Sequence, residues 1–356
     1  MIIHRINAVY ILLAILFFFL PTQVSSQGKK KVKSKMICVG FYNLENLFDI
    51  YDDPETMDEE FTPSGAKVWT KDKYEDKINR LSIVIKEFGS DHKLKGADIL
   101  GVCEIENRQV LEDLTAHDQL RSMDYAIIHH ESFDPRGIDL ALLYKPSVFV
   151  PTYSGMSNIK LSSKTGNSKP TRGVLVVQGI LGGQKVCILV NHWPSRRGGE
   201  GATRDFRNQA ASANRHIADS IQTNFPGTAV IIMGDLNDDP INESVKNGLK
   251  SVETIESCTE NKYFNPFYKN YQNGEGTLAH NNSWNLFDQI ILSYDFISQN
   301  QKGYHFFQNK VYRQDFMIES HGHYKNHPKR TFSGDVYNYG YSDHFPVLVY
   351  LVQKIK

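Results

Sequence analysis

The sequence predicts a single mixed α/β domain, and three observations point there. Apolar runs of strand length recur from Met36 to Val352. Some are joined by a tight glycine turn and others by amphipathic helical stretches, so the sheets mix antiparallel and parallel neighbours. Polar residues suited to one site are scattered from Asn43 to His344, and a site built from them needs nearly all of the 356 residues. That favours one domain over two.

The chain opens on a targeting segment. His4 and Arg5 precede an apolar stretch from Ile6 to Leu20, broken only by Asn7 and followed by Pro21. Val24-Ser25-Ser26 offers compact residues to a signal peptidase, with cleavage expected before Gln27. The stretch is shorter than the ~20 residues that span a bilayer. Residues 1–26 therefore read as a cleaved signal, and the mature protein as exported, either periplasmic or secreted. No cysteine follows the apolar run, which argues against a lipoprotein. Residues 27–35 are Lys-rich and read as a basic linker, leaving 36–356 as the domain.

Within the domain, Met36 to Tyr42 reads as a buried strand ending at Asn43, and the acidic, Pro-containing stretch from Tyr51 to Gly65 as a surface loop. Ile78, Leu81, Val84, Ile85 and Phe88 recur at helical spacing, which predicts an amphipathic helix over 73–88. Ala97 to Val102 is a second strand and delivers Glu104. Further strands are expected at 125–130, 139–144, 173–179 and 185–190, with Gly182-Gly183 turning the last two into a hairpin. Thr203 to Thr223 reads as a helix with Ala210, Ala213, Ile217 and Ile221 along one side. Strands at 229–233, 289–293 and 346–352 complete the pattern. The stretch from Tyr294 to Tyr341, rich in Tyr, His, Asn, Gly and Lys, lacks periodicity and reads as a long excursion over the surface.

Composition bounds the function. Hydrophobic content of 40% and charged content of 22% describe a globular protein with ample core material. With 40 basic and 40 acidic residues, no global field gathers a polyanion. Removing Arg5 with the signal leaves 39 against 40. Cys38, Cys103 and Cys187 lie in apolar, strand-like contexts and read as buried free thiols. Spacing nominates no disulfide among the four cysteines, and no Cys/His spacing suggests zinc.

The chemistry lies in short polar motifs at the ends of apolar runs: Phe41-Tyr42-Asn43-Leu44-Glu45-Asn46, Val102-Cys103-Glu104, Asn191-His192-Trp193-Pro194, Gly234-Asp235-Leu236-Asn237, Asn285-Leu286-Phe287-Asp288 and Ser342-Asp343-His344. Strand tips hold side chains rigidly. Carboxylates, carboxamides and imidazoles collected there suit a hard divalent metal and phosphate-ester hydrolysis. Asp235 and Asn237, two apart, share one side of an extended segment; the bland alternative is an Asx-turn pair.

The ordered set resembles the endonuclease/exonuclease/phosphatase superfamily, the group of deoxyribonuclease I and exonuclease III, over roughly residues 36–353. The resemblance implies a four-layer α/β/β/α sandwich, two mixed sheets packed face to face, with the site at one rim. It implies Mg²⁺ or Mn²⁺ held by Glu104, with Asn43, Glu45 and Asp343 as further metal-site groups. Glu45 reads equally as a solvated strand-end carboxylate. Asp235 then positions or deprotonates the attacking water, and Asn237 binds the phosphate or that water. Asp288 fixes the tautomer of His344, and His192 serves as phosphate ligand or as acid toward the leaving oxygen. The loop after His192 carries Arg196 and Arg197, then Arg204 and Arg207, and is expected to bind anions, the first two gripping substrate phosphates. Arg136 and Asp139 precede a core strand without an evident role.

These expectations define an exported metal-dependent phosphodiester hydrolase, foremost a nuclease with nucleic acid as substrate. A phosphatase or phospholipase C-like enzyme acting on a phosphoinositide or sphingomyelin headgroup is the alternative, and near-neutral charge favours it. The position after the Asp235-Asn237 motif lacks the Trp/Tyr-rich loop typical of inositol phosphatases, and no second hydrophobic segment is found; both absences favour the nuclease. A catalytically dead binding module has no reason to keep acid, base and metal ligands together. No obligate protein partner is evident.

Overall fold

Two large mixed sheets carry the fold of the computed structural model, which describes residues 34–162, 168–169, 171–280, 283–298 and 303–355. The expected signal segment and most of the linker lie outside the described residues. In chain order the principal elements are β1 (Ser34–Leu47), α1 (Lys71–Lys86), β2 (Ile99–Ile105), α2 (Arg108–Ala116), β3 (Ala126–His130), β4 (Asp139–Tyr144), β5 (Phe149–Ser157) and β6 (Val174–Leu181). There follow β7 (Gln184–His192), α3 (Glu200–Asn224), β8 (Ala229–Asp235), β9 (Ser251–Val252), β10 (Tyr263–Phe264), β11 (Asp288–Ser293), β12 (His305–Val311) and β13 (Val347–Lys354). The first sheet runs β12-β13-β1-β2-β4-β3 and the second β9-β10-β11-β8-β7-β6-β5. At their centres β1 lies parallel to β2, and β7 parallel to β8.

Strand alternation assigns the layers. Along β8, Ala229, Ile231 and Met233 join the core shared with the first sheet, while Val230 and Ile232 join the core beneath α3. β7 repeats the division, with Val186, Ile188 and Val190 on one face and Cys187 and Leu189 on the other. α3 offers small residues there, Ala210, Ala211 and Ala218, so it sits close to the sheet. In the first sheet, Tyr42 points the other way, its ring edge-on to Phe88 beyond α1. α1 and α2 bury Leu81, Ile85, Val110 and Leu111 on that side. The order is helices, sheet, sheet, helix, the four-layer sandwich that the resemblance implies. Among the described residues no helix is long and apolar enough to cross a membrane.

Two glycines are dictated by geometry. Gly182 and Gly183 link Leu181 to its partner Gln184 with φ of 57° and 84°, the left-handed pair of a type I′ hairpin. Gly234 lies opposite Asn191 in the parallel β7–β8 pair, and a Cβ there would stand 2.3 Å from the Asn191 carbonyl oxygen.

Several elements differ from the sequence reading, among them the two-residue strands β9 and β10. α2 is too short for a periodic signal, and Asn107 caps it by accepting the Val110 N–H at 3.1 Å. β5 is an edge strand whose residues are mostly half-buried or exposed, so its hydrophobic pattern is weak. The expected excursion from Tyr294 to Tyr341 is partly a correction, because it supplies β12, the edge strand beside β13. All four cysteines are buried and free.

Gly234→Ala is expected to lower stability by about 1–3 kcal/mol, the usual cost of overpacking. The measurement is a urea midpoint at unchanged slope. A wild-type midpoint would show that β7 yields without cost.

Candidate active site

The C-terminal ends of β1, β2, β7 and β8 and the starts of β11 and β13 share one rim of the sandwich. Register builds the second sheet's share of the site. Asp235 is paired with His192 across the parallel β7–β8 ladder and with Asp288 across the antiparallel β8–β11 ladder. Three of the expected site residues thus stand in one cross-strand row.

The first sheet reaches the same rim through bulges. Pairing breaks between Asn43 and Leu47 in β1 and between Cys103 and Ile105 in β2. Glu104 is the extra residue of β2, with φ of 58°, and Glu45 and Asn46 are left-handed too, at 51° and 53°. Bulges re-aim side chains and concentrate at strand ends near sites. Here Glu104 Oε1 accepts from Asn43 Nδ2 at 3.1 Å, and Oε2 from the Asn46 N–H at 3.1 Å.

Asp235 is the hub. Its Oδ1 accepts the Asn237 N–H at 3.0 Å. Its Oδ2 faces Asn43 Nδ2 at 3.3 Å, His192 Nε2 at 3.6 Å and His344 Nε2 at 3.9 Å. His192 Nε2 also lies 3.6 Å from Glu104 Oε1. His344 Nδ1 meets Asp288 Oδ2 at 2.7 Å, both groups buried, so the expected dyad is present. The Ser342 hydroxyl accepts the His344 N–H and donates to the Asn43 carbonyl at 2.7 Å, fastening the last motif to the first. Asp343 stands at the open edge, 4.0 Å from His344 Nε2.

Asn237 departs from the extended geometry expected of it. It is left-handed at φ 49°, closing an Asx turn on Asp235, while its Nδ2 donates to the Trp193 carbonyl at 3.0 Å. The turn and the site are one feature. It leaves the carboxamide fixed beside Asp235.

Burial of like charges dominates the electrostatics. Burial, opposed by His344 and reinforced by Asp288, pushes the Asp235 carboxyl up to about 7. Burial favours the neutral form of His344, but Asp288 and Asp235 overcome it and hold this imidazole well above its usual range. Burial together with Arg172 and His344 holds His192 well below that range. One imidazole is kept charged and the other neutral within a single site.

The donors fit a hard dication. One ligand atom from each of Glu104, His192 and Asp235 lies within 4.8 Å of the others, as do those of Asp235, Asp288 and His344. Asp288 Oδ1 is buried with no hydrogen-bond partner among the described residues, and oxygen predominates among the donors. That set suits Mg²⁺ or Mn²⁺ better than a thiophilic metal.

Two groups of expected site residues lie elsewhere. Glu45 turns from the hub: its Oε2 accepts the Thr331 N–H and hydroxyl, each at 2.7 Å, and lies 3.8 Å from buried Lys77. Burial and Asp343, opposed by Lys77, push its carboxyl up to about 7. The left-handed backbone at Glu45 aims the side chain at the 331–341 segment rather than at Glu104 and Asp235. Arg196 is spent within the protein, bonded to the Asn237 carbonyl, Asp238, Asp239 and Asn242, and lies over the Phe287 ring. Arg207 is buried on Asp238, and Arg204 pairs with Glu200. Of the expected anion-binding loop, Arg197 alone is exposed with no ion-pair partner among the described residues. Arg196 and Arg207 serve to hold the segment after Asn237.

Arg172 was missed. It is buried, and its Nη1 donates to the carbonyls of His192 at 3.0 Å and Trp193 at 3.1 Å. Its Nε pairs with Asp134, which also holds Arg136. This chain fixes the backbone that presents His192 and gives Arg136 a supporting role. The available signal is an arginine just before the apolar strand Val174–Leu181, separated from it by Gly173. Asp139 is likewise placed, bonded to His129 Nε2 at 2.7 Å.

Residues 38–353 match the model of the Endonuclease/Exonuclease/phosphatase family. No curated protein matches by sequence. Among solved structures, the chain resembles an endonuclease/exonuclease/phosphatase family protein of Bacteroides thetaiotaomicron at TM-score 0.52 and 17% identity, over 90% of this chain and 96% of that one. It resembles D. rerio TDP2 complexed with single-strand DNA product at 0.50 and 12%, over 89% and 98%. It also resembles the mannosyl-6-phosphatase Bt3783 of B. thetaiotaomicron at 0.50 and 17%, over 88% and 99%. At such identities the likeness is one of fold.

Because Asp235 holds a proton below about 7, a dication must displace it there. Mg²⁺ is therefore expected to raise the melting temperature more at pH 8 than at pH 5.5. At 100 times its dissociation constant the gain is about 2.7 kcal/mol. Glu104→Gln should remove most of the shift. An equal shift in that variant would place the ion elsewhere.

Proposed function

The chain belongs to the endonuclease/exonuclease/phosphatase family, and on that premise we propose that it is an exported, divalent-metal-dependent phosphodiester hydrolase that cleaves nucleic acid. The observation that carries the reading is the Asp235 carboxylate, set between a neutral and a charged imidazole opposite Glu104. Glu104 and Asp235 would hold Mg²⁺ or Mn²⁺, with Asn43 orienting Glu104 and Asp343 at the outer edge. When bound, the ion offsets the charge of the phosphoryl group and of these carboxylates.

The chain's own residues divide the remaining work. Asp235, the hub of the site, is placed to position the attacking water beside the ion. Burial, which pushes its carboxyl up to about 7 in the ion-free site, favours binding of the ion there. Asn237 sits beside it to orient that water or a phosphoryl oxygen. His344, kept cationic by Asp288, faces the negative charge that grows in the transition state. His192 stays neutral, so it can hydrogen-bond a phosphate or the leaving oxygen without adding charge. Arg172 maintains its position from behind.

Two observations favour a second reading, a phosphatase acting on a small or headgroup ester. Arg196 and Arg207 are committed to protein carboxylates, and the chain carries no net charge. A monoester needs no groove for remote phosphates. The catalytic assignments are the same in both.

Excess EDTA should abolish hydrolysis and Mg²⁺ or Mn²⁺ restore it, while plasmid, RNA, phosphoinositide, sphingomyelin and sugar-phosphate substrates separate the readings. His344→Ala and Asp235→Asn should each lower turnover by about 10²-fold or more. Asp288→Asn should add little to His344→Ala, since paired groups act as a unit. Multiplicative losses would dissolve the dyad, and activity in EDTA would sink the metal mechanism.

A further inference from the structure

We propose that the strap from Ser320 to Arg330 is the substrate-strand clamp of this enzyme, taking backbone phosphates and stacked bases of a single-stranded nucleic acid beside the scissile bond. The proposal rests on the nuclease reading above and supplies the contact surface that the Arg196 loop does not. The strap reads Ser-His-Gly-His-Tyr-Lys-Asn-His-Pro-Lys-Arg, with three cations, three histidines and no acid. In a chain of zero net charge such a concentration of donors is a local feature.

The backbone fixes the strap against the site. Ile318 bridges to Pro328, the His327 N–H lies in a turn from Tyr324, and Lys329 bonds through its main chain to Met317 and Tyr341. Thr331 then grips Glu45, and the Arg330 guanidinium lies 3.4 Å from Asp343, the residue before His344. The strap therefore ends at the open edge of the metal group. Its acidic neighbours are engaged or remote: the Glu319 carboxylate caps the Ser320 and His321 N–H groups, and Asp343 meets Arg330. Asp315 is exposed on the short helical turn before it. Neither ammonium of Lys325 and Lys329 has a side-chain partner among the described residues, in contrast to Arg196.

Aromatic faces alternate with these cations. Arg330 lies 4.8 Å over the Tyr324 ring, and His327 stands between Tyr324 and Trp284 at 6.1 Å from each. Trp284 stacks at an interplanar angle of 17° on Phe345, which is buried next to His344 and anchors the Trp284 ring. Arg313 covers both rings, so the half-buried Tyr324, His327 and Trp284 are the rings within reach of a base. Charges that track a backbone, interleaved with rings that accept bases, are the means by which single strands are held without sequence preference. An isolated phosphomonoester would use neither.

The test is binding of a fluorescent 20-nucleotide single-stranded DNA to the mature protein in EDTA, followed by anisotropy from about 50 to 300 mM NaCl. Cleavage of the same strand is read separately with Mg²⁺. Lys325→Ala with Lys329→Ala should weaken binding about tenfold near 100 mM salt. It should also flatten the log–log salt slope by about 1.4, from 0.7 for each lost single-strand contact. Lys325→Glu with Lys329→Glu should weaken binding further, and circular dichroism checks that both variants fold. Wild-type slopes in both variants, with wild-type enzyme cutting the strand, would overturn the clamp and leave the nuclease reading intact. If wild type neither binds nor cuts the strand, both fall together. Lysine-dependent binding to phosphatidylserine vesicles in place of DNA would overturn the clamp and assign the strap to a membrane surface.

Discussion

Four carboxylates, from Glu104, Asp235, Asp288 and Asp343, are brought to one rim of a β-sandwich, and three elements of the architecture answer the repulsion this creates. Burying like charges together is unfavourable unless each is hydrogen-bonded, protonated or met by a cation. Asp288 is met by His344, and Asp343 by Arg330. Glu104 is met by two N–H donors, the carboxamide of Asn43 and the main chain of Asn46. Asp235 remains, between two imidazoles, with its carboxyl pushed to about 7. That residual tension is what a dication would relieve.

The sheets exist, from the site's point of view, to hold these groups in place against it. Parallel neighbours put His192 beside Asp235 by register alone, and an antiparallel neighbour brings Asp288 to the other side. The first sheet cannot do this with regular pairing, because alternate residues would point into the core or toward the helices. Bulges at Asn43–Leu47 and Glu104 solve the problem at the expense of left-handed backbone at Glu45, Asn46 and Glu104. Non-glycine residues in that region cost of order 1–3 kcal/mol when strained, and they gather where function overrides local preference. Ser342, bonded to the Asn43 carbonyl, and Arg172, bonded to those of His192 and Trp193, then lock the strand ends together.

Much of this was legible in the sequence, for a physical reason. A polar residue ending an apolar run is visible because burial changes abruptly there, so Asn43, Glu104, His192, Asp235, Asp288 and His344 stood out. What was hidden depends on backbone sign or on remote partners. Nothing in Asn-Leu-Glu-Asn marks Glu45 as left-handed, so its side chain's turn toward Thr331 could not be read. Proximity to His192 suggests anion binding by Arg196, yet the carboxylates that claim it, Asp238 and Asp239, follow directly after Asn237 in the sequence. Arg172 lay in a polar stretch whose burial only the packed sheets reveal. Edge strands β5 and β12 escaped because half-exposed strands carry little alternation, and α2 because its nine residues span too few turns.

The central claim is that Glu104 from one sheet and Asp235 from the other form a single cation site. Anomalous diffraction from crystals soaked in Mn²⁺ measures this directly. A peak within about 2.2 Å of Glu104 and beside the Asp235 carboxylate, at the distances of a small hard dication, is the predicted result. A lone peak at a separate group of donors, His129, Glu131 and Asp139, whose ligand atoms also lie within 4.8 Å of one another, with none between Glu104 and Asp235, would contradict the account.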